Sequence, residues 1–240
     1  GEHSSRYTHV AAHLTQRGFA VYALDHYGHG KSDGHTGFVE RFSVYLDGVA
    51  ALLAKVQEEH QQQPLFLLGH SMGGLIAAAF LLDHQSAFQA AVLSGPAIES
   101  DQAPPAIVIA LIRLLSAIVP TLPLIQLDAS GISRDQDVVT AYMNDPLVHH
   151  GKLSARLIAE MSATMNVTMA RAADISLPLM LMHGEEDRLT APAGSAALYE
   201  AISSTDKSLK TYSGLYHEIF NEPEQETVLE DMSTWLEAHL

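Results

Sequence analysis

Short apolar runs without alternation recur along this chain, each parted from the next by a stretch with helical spacing. The runs are Phe19–Leu24, Pro64–Leu68, Gln89–Leu93, Leu179–Met182 and Leu209–Tyr212. A strand with one wet face alternates apolar and polar residues, whereas a strand buried on both faces does not. Ser5–Arg17 places Tyr7, Val10, Ala11 and Leu14 on one helical side and ends at Gly18. Asp25–Gly34 is a turn-rich loop, and Phe38–His60 carries an amphipathic pattern through Val44, Leu52, Leu53 and Val56. Leu75–Asp83, Pro192–Ser203 and Pro223–His239 read as helices that follow three of the runs. The order predicts a parallel sheet covered by helices on both faces.

The block from Glu99 to Ala173 breaks this rhythm. It reads as all-helical, over Ala106–Val119, Asp135–Asn144 and Lys152–Ala172, punctuated by Pro104, Pro105, Pro120, Pro123 and Pro146. A helical lid inserted between two core strands accounts for it. The expected organisation is a core domain in two parts, 1–98 and 174–240, around a lid over 99–173.

Composition narrows the possibilities. At 240 residues and 47% hydrophobic, the chain can bury a core of good size. A formal charge of −15 argues against nucleic acid as a partner and against charge-driven docking on anionic membranes, so any lipid contact should be apolar. The absence of cysteine excludes disulfides and thiolate metal sites.

Gly69-His70-Ser71-Met72-Gly73 lies between an apolar run and an alanine-rich helix. Its three fixed positions recur by chance in roughly one chain in ten of this length at ordinary Gly and Ser usage, so the context carries the weight. A serine on a tight strand-to-helix turn is pushed out of the sheet as a nucleophile. Such a serine needs a base, usually a histidine oriented by a carboxylate, and on this type of sheet acid and histidine follow the serine in that order after later strands. Asp187 follows Leu179–Met182, and His217 follows Leu209–Tyr212. Among fourteen histidines the rivals are His70, which as a turn neighbour should point away, His183 at a strand end, where packing is the simpler role, and His239 in the terminal helix. Glu185, Glu186, Glu99 and Asp101 compete with Asp187.

With these motifs quoted, the chain resembles the monoacylglycerol lipases of the serine α/β-hydrolase superfamily along its whole length. The resemblance rests on Gly1-Glu2-His3-Ser4-Ser5-Arg6-Tyr7, the stretch Asp25–Gly34, Gly69–Gly74, Asn144-Asp145-Pro146-Leu147, His183-Gly184 with Asp187, and Tyr216-His217-Glu218. It implies a mostly parallel sheet flanked by helices with an inserted lid. It also implies Ser71 as nucleophile, Asp187 as orienting acid and His217 as base, with the Met72 N–H as one oxyanion donor. Glu2, Arg6 and Tyr142 are implied at the polar end of the substrate, with a local structural hydrogen-bond network as the equal alternative for Glu2 and Arg6. That substrate would be a monoacylglycerol or a similar single-chain lipid ester, hydrolysed through an acyl-enzyme without cofactor or metal in a cytoplasmic protein whose lid touches lipid surfaces transiently. A lysophospholipase or short-chain carboxylesterase would use the same triad, and a non-catalytic binding module could use the same fold.

The family motif His-Gly-x-Gly-Glu-His is met here from its second glycine onward, as Gly1-Glu2-His3. The second oxyanion donor and a strand near the middle of the sheet are therefore expected before Gly1, with a gap between Phe19–Leu24 and Pro64–Leu68. The polypeptide as written is expected to be impaired.

Other signals are weaker. Gly30-Lys31-Ser32 resembles a phosphate loop, but Asp25 stands where that motif needs glycine. His9 and His13 have zinc-pair spacing without a third ligand, and His149-His150 reads as a lid loop. Ala106–Val119 is apolar nearly all round with Arg113 its only charge, as a buried helix of a large core would be or a lid helix between an acyl tunnel and lipid, the reading that the resemblance favours. Met161, Met165 and Met169 form one stripe, read first as core and second as the lining of a lipid channel.

Overall fold

The computed structural model describes residues 1–99 and 106–240. Asp101, Pro104 and Pro105 lie outside the described residues. In chain order the elements are α1 (Thr8–Gln16), α2 (Ser43–Glu59), β1 (Phe66–His70), α3 (Met72–His84), β2 (Ala90–Ser94), α4 (Ala106–Ile118) and β3 (Pro123–Ile125). They continue with α5 (Gln136–Asn144), β4 (Leu153–Ser154), α6 (Ala155–Ala170), β5 (Leu179–Gly184), α7 (Pro192–Ala201), β6 (Lys207–Tyr212) and α8 (Gln225–Glu237). No described helix is long and apolar enough to cross a membrane. Two compact units emerge, one of Gly1–Gln61, Gln102–Leu127 and Thr140–Thr164, the other of Gln62–Asp101, Asp128–Val139 and Met165–Leu240.

The second unit holds the sheet. Its four strands run in the order β1-β2-β5-β6, every neighbouring pair parallel. β2 and β5 are buried at every position, which explains their unbroken apolar character. α3 opens directly from β1 and is buried from Gly74 to Leu82. It has no polar face because it packs against β1 and β2 inside the unit. Each fully buried Leu, Ile or Phe there contributes about 2 kcal/mol of transfer free energy. The register aligns His70 with Ser94 and Ser94 with Met182, so β1 and β2 end together while β5 runs two residues further, to Gly184 opposite Tyr212 of β6.

Two expectations need correction. Phe19–Leu24 is not a strand, and Val21 and Tyr22 are exposed. A strand needs a ladder, and this run belongs to neither described sheet, so apolar character alone does not make it a strand. Its residues are half-buried or exposed, and the Phe19 N–H donates to the Leu14 carbonyl at 3.1 Å. The block after Glu99 is not all-helical either. β3 and β4 pair antiparallel, Pro123 opposite Ser154 and Ile125 opposite Leu153. These strands are too short for periodicity to reveal.

In the first unit the turn-rich loop is organised around Asp25. One carboxylate oxygen accepts the Ser4 N–H and the other the Lys31 N–H, each at 2.8 Å. Those bonds are why an aspartate stands where a phosphate loop would need glycine. The Tyr45 ring, buried, meets His26, His29 and Phe42 edge-on at centroid distances of 5.5, 6.1 and 5.4 Å. Burial lowers both His26 and His29 to about 4.

This sets a pH dependence. Unfolding returns each ring to an ordinary value near 6.5, so between about 6.5 and 4 the unfolded chain binds protons that the folded chain does not. The stabilisation from neutral burial is complete above 6.5 and is lost as pH falls toward 4. Melting followed by circular dichroism should give a Tm about 10 °C lower at pH 5 than at pH 7. Most of that difference should vanish in the double variant His26→Asn, His29→Asn. A Tm unchanged between the two pH values would refute the assignment.

Candidate active site

Ser71 follows the last residue of β1 and starts the turn into α3 with φ 54° and ψ −122°, and is the one described non-glycine residue with positive φ. An L side chain is strained there, at about 1–3 kcal/mol. The turn is held by the Ser71 N–H on the Ser94 carbonyl at 2.9 Å and by the Gly74 and Ala97 N–H groups on the Ser71 carbonyl at 2.9 and 3.0 Å. Gly69 is required for close approach, because a Cβ there would lie 2.4 Å from the Gly73 carbonyl oxygen. Ser71 itself stays half-buried, within reach of a ligand. Met72 is the first residue of α3, where N–H groups have no intrahelical partner.

Asp187 and His217 meet directly. The His217 Nδ1 is 2.7 Å from the Asp187 Oδ2, and both side chains are buried. The other carboxylate oxygen accepts the N–H groups of Leu189 and Thr190 at 2.8 and 3.0 Å. Burial alone would push this carboxyl up. Hydrogen bonds from His183, His217 and the Thr190 N–H, together with the charge of His217, instead hold it well below the usual carboxylate range. Gly95, at φ 47°, leaves room beside the pair, since a Cβ there would touch both Asp187 and His217 at 3.4 Å.

The loop carrying His217 is pinned on either side of the ring. The Tyr216 N–H donates to the Glu222 Oε1 at 2.8 Å, and the Glu218 N–H to the Ile132 carbonyl at 2.7 Å. Glu222 is fully buried and paired with the Arg134 guanidinium at 3.0 Å, so its charge is compensated.

His70 joins this group. Its ring lies 4.7 Å from that of His217, and its Nδ1 is 3.1 Å from the Ser94 hydroxyl. The residue just before Ser71 thus rests on the ring that Asp187 holds. Of the rival acids, Glu185, Glu186 and Glu99 are exposed. His239 bonds to the Trp235 carbonyl and Asp206 instead.

The sequence reading missed three side chains here: His70, which was expected to point away, His183 and Thr190. His183, taken for packing, has its Nε2 3.0 Å from the Asp187 Oδ2 and its Nδ1 2.7 Å from the Ser195 hydroxyl. The Thr190 hydroxyl is 2.8 Å from the same Asp187 oxygen. A histidine four residues before the acid was the one sequence signal available for this.

In the first unit, Glu2, Arg6 and Tyr142 form a cluster of their own. Arg6 is 2.9 Å from Glu2 and lies over the Tyr142 ring, 4.7 Å from its centroid, while the Tyr7 hydroxyl donates to Glu2 at 2.6 Å. Among the described residues no group of three His, Cys, Asp or Glu is placed to hold a metal ion.

A parallel sheet with a strained serine at the end of one strand, and a buried Asp–His pair after two later ones, defines an α/β-hydrolase. The chain belongs to the family described as serine aminopeptidase, S33, whose model matches residues 1–224. It is 41% identical to the monoacylglycerol lipase of Mycolicibacterium smegmatis over 239 residues, covering 100% of this chain and 85% of that protein. It is 31% identical to the monoglyceride lipase of Rattus norvegicus, covering 98% of this chain and 79% of that one. The crystal structure of the Paleococcus ferrophilus monoacylglycerol lipase superposes with a TM-score of 0.91 at 33% identity, over 100% of this chain and 91% of that one.

Proposed function

We propose that this protein is a serine ester hydrolase that releases the fatty acid from monoacylglycerols. The observation that carries the reading is the buried Asp187–His217 pair, with the His217 ring on the residue adjoining a strained Ser71. The relatives named for this substrate support the choice of ester.

In the first step His217 takes the Ser71 proton as the oxygen attacks the ester carbonyl. Asp187 accepts the Nδ1–H, keeps Nε2 free as base and stabilises the imidazolium that forms. The Met72 N–H serves the tetrahedral oxyanion, a kind of contact worth about 10²–10³ in rate. His217 then protonates the departing glycerol, and water activated by the same ring releases the acid.

The cluster of Glu2, Arg6 and Tyr142 has the mixed donors and acceptors that suit a polyol. α4, read as part of a lid, exposes Ile107, Leu111, Leu114 and Ile118, an apolar face suited to lipid.

The test is product release from 1-oleoylglycerol, oleoyl lysophosphatidylcholine and p-nitrophenyl acetate under matched conditions. The highest kcat/KM is expected on 1-oleoylglycerol. A preference for the lysophospholipid or for the acetate would reassign the substrate, and no turnover of any ester by folded protein would remove the enzymatic reading.

A further inference from the structure

The geometry points to His183 as a positioning residue for the reaction, one that holds the Asp187 carboxylate in its productive plane and shares with His217 the oxygen that orients the base. The inference rests on the reading of Asp187 and His217 as acid and base.

His183 sits on β5, which is hydrogen-bonded on both sides, by β2 and by β6, so its ring is carried by a rigid element and not by the loop that carries the acid. Its Nε2 faces two acceptors, the Asp187 Oδ2 at 3.0 Å and the Thr190 carbonyl at 3.2 Å. Neither can donate once the carboxyl is ionised, so Nε2 carries a hydrogen in either charge form of the ring. Nδ1 faces the buried Ser195 hydroxyl at 2.7 Å, which fixes the ring from its other side. His183 and Asp187 have side chains with no solvent exposure at all. A bond between such groups is not traded for one to water.

Two consequences follow for Asp187. Its Oδ1 is held by two backbone N–H groups and its Oδ2 by His183, so the carboxylate cannot rotate away from His217. The negative charge at Oδ2 is also divided between the two rings, with the Thr190 hydroxyl as a third donor at 2.8 Å. Asp187 therefore stabilises the His217 imidazolium less than it would with His217 as its one partner. The ionisable groups around the pair are Asp187, His183 and, against the His217 ring, His70.

The experiment compares wild type with His183→Phe and His183→Gln. It measures kcat and KM on 1-oleoylglycerol across pH, and the His217 titration midpoint by NMR of the folded protein. His183→Phe is expected to lower kcat by about 10- to 100-fold at little change in KM, because the acid loses its plane. The His217 midpoint and the acid limb of kcat/KM should both move to higher pH, because Asp187 now acts on one ring. Gln, whose amide N–H can take the place of Nε2, should restore most of both.

Wild-type kcat and midpoint in His183→Phe would overturn the proposal, as would a Gln variant no better than Phe. If the Phe variant does not fold, Ser195→Ala takes its place. It keeps the His183 ring but loosens it, and should shift the midpoint in the same direction; a wild-type midpoint there overturns the proposal equally. Absence of ester turnover in wild type would fail the functional reading, while the NMR midpoints would still decide the role of His183.

Discussion

Ser71→Ala is expected to lower kcat for oleate release by on the order of 10⁶, with the circular dichroism spectrum and melting temperature close to those of wild type. The size of the effect follows from the lack of a substitute nucleophile. The Thr190 hydroxyl, also beside His217, is buried and committed to Asp187 and the Gly95 carbonyl. The Ser94 hydroxyl is buried against His70. Alanine keeps the backbone strain, so the fold should be little affected. A rate within about a hundredfold of wild type would move the chemistry to another residue.

Asp187→Asn should cost about 10⁴ in kcat, more than a lost charge at this distance suggests. The reason lies in how the carboxylate is held. Oδ1 accepts the Leu189 and Thr190 N–H groups, so in the variant the amide oxygen must take that position. The amide NH₂ is then forced toward His217 and His183. Facing a donor, His217 turns its acceptor to Nδ1 and carries its hydrogen on Nε2, the nitrogen that must receive the serine proton. The His183 Nε2–H meets the same NH₂ donor to donor. The predicted signature is a kcat loss with KM nearly unchanged, read in the same oleate assay. Activity within about tenfold of wild type would mean that Asp187 does not set the tautomer.

Much of the fold was legible because its signals are local. β2 and β5 show as unbroken apolar runs since both their faces are covered, and α3 shows as an apolar helix since all its sides are. Boundaries were less legible. β1 starts at Phe66 and runs through His70, two residues beyond the apolar run, because the ladder with β2 continues through Gly69 and His70 whatever their polarity. Phe19–Leu24 shows the reverse case, an apolar run that joins no described ladder. β3 and β4 were invisible at their length. Within the site, the order serine, acid, histidine pointed to Ser71, Asp187 and His217. The roles of His70 and His183 were hidden, since a neighbour in sequence and a strand-end histidine acquire meaning only from what the sheet brings beside them.

The backbone at Ser71 carries a cost that its own side chain imposes. A glycine there would adopt φ 54° without penalty, so the most stable version of this turn is one without the hydroxyl proposed as nucleophile. Stability and reactivity pull on this residue in opposite directions. A copy of the chain released from any demand to hydrolyse would drift downhill by losing its hydroxyl first, keeping sheet, helices and the Asp187–His217 pair as a well-folded relic.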